Sequence, residues 1–104
     1  RVQVILLYTR FFRSDLKRMG WSKDRPPLGS YLPDDSPDKT VLGAAQWAWL
    51  EQELAKPADL RIVVSSTQVI TTAHQFEGWT NFPAERARLF DLLAAREASG
   101  LVLL

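Results

Sequence analysis

The stretch Gly43-Ala44-Ala45-Gln46-Trp47-Ala48-Trp49-Leu50-Glu51-Gln52-Glu53-Leu54-Ala55-Lys56, followed by Pro57 and then by Leu60-Arg61-Ile62-Val63-Val64-Ser65-Ser66, decides the fold class. Its first half predicts a helix over Gly43 to Lys56. Leu42, Gln46, Trp49, Leu50 and Leu54 recur near helical spacing, and Glu51 and Glu53 fall on the side left to water. Gly43 stands where an N-cap belongs, and Gln46 lies three residues on, an arrangement like a capping box. Pro57 stops the helix. The second half predicts a strand over Leu60 to Ser66. Its run Ile62-Val63-Val64 fits a parallel sheet covered on both faces.

Upstream, Val2 to Tyr8 is short, apolar and partly β-branched, and it too predicts a strand. Phe11 to Arg18 reads as a short helix or an irregular turn; Asp15 and Lys17 leave both open. Gly20 to Lys39 holds Pro26, Pro27, Pro33 and Pro37, with Gly29 and the pair Asp34-Asp35. Proline removes backbone donors, so this stretch predicts a loop, of a length uncommon in a compact domain unless functional or disordered. Downstream, Gln68 to Asn81 lacks periodicity and predicts a second loop. Pro83 opens another helix, where its missing N–H costs nothing, and Glu85 in the first turn suits the macrodipole. Leu89, Phe90, Leu92 and Leu93 form its apolar side; Arg86, Arg88 and Asp91 lie mostly on the polar one. Gly100 breaks this helix before a third strand, Leu101 to Leu104. Strands alternating with helices place the chain in the α/β class, with right-handed crossovers in a mostly parallel sheet.

The totals narrow the function classes. The 104 residues suit one domain, and 46% hydrophobic residues suffice for a core. A net charge of +1, from 13 basic and 12 acidic residues, gives no reason to expect nucleic acid or an acidic membrane as partner. The absence of cysteine excludes a disulfide, a thiolate zinc site and a cysteine nucleophile within the chain. No apolar run approaches the ~20 residues that span a bilayer, and no signal peptide is visible. Both ends read as apolar strands rather than polar tails, which predicts a piece of something longer. A partial sheet of this kind predicts self-association through its exposed edges.

Residues with chemical capacity are few. His74 is the single histidine and cannot form a metal site alone. Asp34, Asp35 and Asp38, beside prolines, read as solvated turn formers. Ser65, Ser66 and Thr67 end a predicted strand, where ligands of open α/β sheets bind. No G-x-S-x-G elbow accompanies them, so they read as satisfying backbone groups at the strand end. Trp47 and Trp49 lie two apart and point in different directions, so one belongs to the core and the other covers a neighbouring layer. Walker and dinucleotide patterns are absent. These residues by themselves leave open a small non-catalytic α/β binding or interaction module.

Four blocks, in order, carry a resemblance. Leu42-Gly43-Ala44-Ala45-Gln46-Trp47-Ala48-Trp49-Leu50 resembles a family helix that reads roughly L-G-x-x-Q-W-x-W-L. Arg61-Ile62-Val63-Val64-Ser65-Ser66-Thr67-Gln68 looks like the strand that follows it. Glu77-Gly78-Trp79-Thr80-Asn81-Phe82-Pro83-Ala84-Glu85-Arg86 is similar to an E-x-W-x-x-F-P-A-E-R block. Leu6-Leu7-Tyr8-Thr9-Arg10-Phe11-Phe12-Arg13 resembles an upstream L-L-D-T-R-x-F-R segment. The family is the phosphodiesterase/alkaline phosphatase D type of metallophosphatase. Tyr8 departs from it, standing where the family usually has Asp.

The resemblance implies part of a four-layer α/β/β/α metallophosphatase fold, the calcineurin-like phosphoesterase fold. It implies hydrolysis of a phosphate ester substrate by a metal-activated water, with Ca, Fe, Mn or Zn ions clamping the phosphoryl oxygens. The family's ligand blocks fall before Arg1 and directly after Leu104, where a Gly-Asp-x-His block is usual. No metal ligand is therefore assigned within the sequence, and the chain alone is expected to be inactive. By position, the loop after the second strand lies near the site, which makes Gln68, His74, Glu77 and Trp79 the candidates for lining the substrate pocket.

Overall fold

The computed structural model describes residues 1–18, 31–71, 77–96 and 100–104. Three parallel strands, β1 (Val2–Leu7), β4 (Leu60–Ser65) and β5 (Leu101–Leu103), form one sheet in the order β1-β4-β5. The register pairs Val4 with Ile62 and Leu6 with Val64, then Ile62 with Val102. Helix α1 (Ala44–Leu54) joins β1 to β4, and α2 (Pro83–Ala95) joins β4 to β5. Two crossovers running the same way along a sheet, both of one hand, put both helices on the same face. The α/β alternation expected from the sequence is what the chain adopts.

Burial follows from this layering. Ile5, Leu7 and Val63 point inward and join Leu50, Leu54, Leu89 and Leu93 in one buried cluster. Trp47 and Trp79 complete it, ring edge to ring face with centroids 6.4 Å apart. Trp47, 1% exposed, occupies the core position that the spacing had offered to Trp49, which is 40% exposed. Positions 47, 50 and 54 also recur at helical spacing, and that stripe is the one facing the sheet.

The expectation of a sheet covered on both faces is not met. Val2, Val4 and Leu6 stand 64%, 57% and 63% exposed, with Tyr8, Val102 and Leu104 on the same side also open. The strands are apolar on both faces, but both helices lie on one.

The region between β1 and α1 also differs from expectation. Phe11 to Arg18 forms no helix: residues 10–12 bend, and Lys17–Arg18 is a short strand, β2. It pairs antiparallel with β3 (Tyr31–Leu32), which falls inside the predicted loop of Gly20 to Lys39. Residues 20–30 of that predicted loop lie outside the described residues. Non-local pairing of this kind leaves no signature in either segment alone. Within the loop predicted for Gln68 to Asn81, a short 3-10 turn spans Trp79–Asn81. No helix among the described residues is long and apolar enough to cross a membrane.

Polar side chains, most of them buried, lock the helices to the sheet. Glu85 is 9% exposed and accepts hydrogen bonds from Trp47 Nε1 (2.6 Å), Thr40 Oγ1 (2.5 Å) and the amides of Val41 and Leu42. It thus ties the entry to α1 onto the first turn of α2. Gln46 does not close a capping box. Its amide accepts from Tyr8 N at 2.8 Å and donates to Tyr8 O at 2.9 Å, satisfying the backbone just beyond the end of β1. Arg61, buried on β4, donates to the carbonyls of Leu54 and Lys56. Helix α1 has no basic residue in its last turn, so a strand residue supplies the cation that its carbonyl end favours. Gly43 does hold the N-cap position, with φ at 80°, a conformation that L side chains rarely adopt.

Candidate functional site

The carboxyl ends of β1 and β4 are where an open parallel sheet presents ligand-binding groups. Side by side in register, these two strands deliver Thr9 and Ser66-Thr67 to the same edge. Thr9 Oγ1 lies 2.8 Å from Ser66 Oγ and 2.7 Å from Thr67 Oγ1. Ser65 Oγ donates to Thr67 O at 2.6 Å and accepts from Trp79 Nε1 at 3.0 Å. These hydroxyls therefore stitch the strand ends to each other and to the following turn. None has a base beside it among the described residues.

The candidates from the sequence fall in different environments. Glu77 receives two arginines: Arg13 Nη1 hydrogen-bonds its Oε1, and Arg10 Nε sits 3.2 Å from the same oxygen. Its side chain is 26% exposed, so this carboxylate is half-sheltered and doubly paired. Trp79 is fully buried, its indole given to Ser65 and to the ring contact with Trp47. Gln68 is exposed, and its carbonyl accepts Trp79 N at 2.9 Å. His74 lies outside the described residues. Of the three that are described, Glu77 is the one placed against charged partners.

Arg10 and Arg13 complete this edge; both stand at arginine positions of the upstream resemblance, but neither was a candidate for the pocket. Both belong to the turn after β1, and their shared partner lies more than sixty positions on, with Arg13 and Glu77 separated by 64. Nothing local in either segment announces the triad. Tyr8 is 72% exposed, although its backbone is clamped by Gln46. A cavity of about 570 Å³ opens at this end of the sheet, lined by Leu6, Val64, Tyr8, Phe11, Arg10 and Ser66 among others. Its lining is mostly apolar, with Thr9, Arg10 and Ser66 as residues that carry polar side-chain groups.

A catalytic metal needs several His or carboxylate ligands converging on one point. No three such side chains gather anywhere among the described residues. Glu77 is already engaged by two cations, and Glu85 is consumed by four donors. The residues described do not fit a metal centre, and no hydrolytic step can be routed through them. No family model, curated protein or solved structure matches the chain.

Proposed function

We propose that the chain is part of a metal-dependent phosphatase or phosphodiesterase of the alkaline phosphatase D type, forming one outer half of a four-layer α/β/β/α sandwich. The observation that supports this most is the sheet itself, apolar on both faces and covered by helices on one. Six side chains on the bare face, Val2, Val4, Leu6, Tyr8, Val102 and Leu104, are each 41% to 72% exposed. They leave on the order of 600 Å² of apolar surface uncovered, as large as the largest patch of a typical monomer. A second sheet packed about 10 Å away removes that surface from water. At ~25 cal/mol per Å² this covering contributes on the order of 15 kcal/mol.

In this reading the metal ligands lie outside the described residues, and this chain contributes scaffold and the polar edge at Thr9, Arg10, Arg13, Ser66 and Glu77. The reaction is hydrolysis of a phosphate ester. Reading the gene on both sides of the coding sequence tests it. A Gly-Asp-x-His block following Leu104 and aspartate-rich blocks preceding Arg1 are expected, and a protein spanning them should hydrolyse a chromogenic phosphate ester when supplied with Ca²⁺, Fe³⁺, Mn²⁺ or Zn²⁺. A reading frame with neither block overturns the proposal. So does robust, repurifiable turnover by the 104-residue chain alone, because it would place the metal cage within these residues.

The bare face also favours a second reading, a small non-catalytic α/β interaction module that docks a partner there. Sedimentation separates the two. A monomeric chain that unfolds cooperatively without ligand supports the module; self-association or a molten state counts against it.

A further inference from the structure

We infer that Arg10, held by Glu77 beside Arg13, is a docking point for a phosphate group at the carboxyl end of the sheet. The side chain of Arg10 is 70% exposed and is ion-paired through Nε alone, so the edge carrying Nη1 and Nη2 has no partner among the described residues. That free edge is the planar fork that matches two oxygens of a phosphate. Most exposed arginines wander over many rotamers. This one has a carboxylate partner at Nε that narrows the rotamers it visits, so less freedom is lost when an anion binds.

The local charge favours an anion. Two guanidiniums share one carboxylate oxygen, which leaves one positive charge in surplus. Asp15 makes no ion pair with either arginine among the described contacts and lines a different cavity together with Arg13. Of the two cations, Arg10 is the one open to solvent, its side chain 70% exposed against 23% for Arg13. Ser66 lines the same cavity as Arg10 and is exposed, its hydroxyl shared with Thr9 and free to take one more partner. Guanidinium, hydroxyl and strand termini thus face one opening.

This deepens the phosphoesterase reading by naming the residue that receives the phosphoryl oxygens, but it needs neither metal nor turnover. A metal-free chain that binds phosphate and hydrolyses nothing retains this inference whatever becomes of the enzymatic one. The test is a titration of the 104-residue chain with inorganic phosphate in a low-salt, phosphate-free buffer, followed by calorimetry. Phenyl phosphate and acetate serve as further arms. Millimolar binding of both phosphates, with acetate at least ten-fold weaker, is expected. Arg10→Ala should weaken phosphate binding at least ten-fold, while Arg96→Ala, at an exposed arginine elsewhere, should leave it unchanged. Equal binding by Arg10→Ala and the parent chain overturns the inference, as does an equal loss in Arg96→Ala, which would mean general attraction to a basic surface. Should the variant misfold, phenylglyoxal labelling of the unmodified chain decides. Phosphate should slow modification of Arg10 several-fold and leave Arg96 untouched; equal rates for both with and without phosphate overturn it.

Discussion

The two faces of the three-stranded sheet are built from the same kinds of residue and have opposite fates. On one face Ile5, Leu7 and Val63 are at most 5% exposed beneath α1 and α2. On the other, Val2, Val4 and Leu6, their immediate neighbours in the strands, are more than half exposed. The difference does not lie in hydrophobicity. It comes from two crossovers of one hand running in one direction, which send both helices to the same side. An apolar strand residue favours being covered; it does not report whether or by which segment it is covered. The helical face also carries the polar locks, Glu85, Gln46 and Arg61, which have no counterpart on the bare face among the described contacts.

The comparison breaks most visibly by placing one charge on each face. Val63→Asp buries an unpaired carboxylate and should unfold the chain, with a loss above about 4 kcal/mol. Leu6→Asp on the open face should shift the urea midpoint little and reduce self-association in sedimentation. Equal destabilisation by both substitutions would show that the outer face is covered in solution.

The next largest effect is expected at Glu85, which binds the covered face's two helices together. Glu85→Ala leaves Trp47 Nε1, Thr40 Oγ1 and two amides without their acceptor. A loss of about 3 kcal/mol is expected by chemical denaturation. Glu85→Gln should recover part of it, because one carbonyl oxygen remains.

Gln46→Leu should cost about 2 kcal/mol, since two backbone groups of Tyr8 lose their partners. Its signature is local. The Tyr8 amide should exchange with solvent far faster while β4 amides keep their relative protection. An unchanged Tyr8 amide would mean that the glutamine clamp is not what holds this strand end. Gly43→Ala is expected to cost about 1 kcal/mol or slightly more, from the positive φ and a Cβ that would sit 3.0 Å from Phe12 Cβ. A thermal melt that is unmoved would show that the turn into α1 is more yielding than this geometry implies.

The smallest effect belongs to a titration away from the sheet. Asp34 accepts hydrogen bonds from the side chain and the backbone N–H of Ser36, and these hold its carboxyl below its ordinary value. A folded pKa below the unfolded one contributes stability above the unfolded pKa and loses it as pH falls through the folded value. The contribution is therefore present at neutral pH and fades in the acid range below the ordinary aspartate pKa. The Ser36 amide resonance should follow that titration, and Asp34→Asn should abolish the shift. Because the group is exposed, the global melting curve should scarcely change with it.

The edge at the carboxyl ends was legible only in outline. Ser65, Ser66 and Thr67 read as satisfying backbone groups at a strand end; Ser65 does so at Thr67, whereas the Ser66 and Thr67 hydroxyls bond the hydroxyl of Thr9. Glu77 was singled out, but its partners Arg10 and Arg13 were not, because an ion pair across more than sixty residues depends on which strands become neighbours. Trp79 lies inside the core that Trp47 shares, and spacing in a loop without periodicity contains no information about depth.

By itself the sequence determined the alternation of strands and helices, the helix boundaries near Gly43 and Pro83, and the apolar character of all three main strands. These follow from local periodicity, proline and glycine chemistry, and side-chain branching, all of which act within a few residues. Only the tertiary structure decided that Trp47 rather than Trp49 enters the core, that Lys17–Arg18 pairs with Tyr31–Leu32, that Gln46 serves a strand instead of its own helix, and that one face of the sheet stays bare. Each of those depends on which segments meet after the chain has crossed over, and the free energy of such meetings belongs to pairs of residues far apart in sequence rather than to either residue alone.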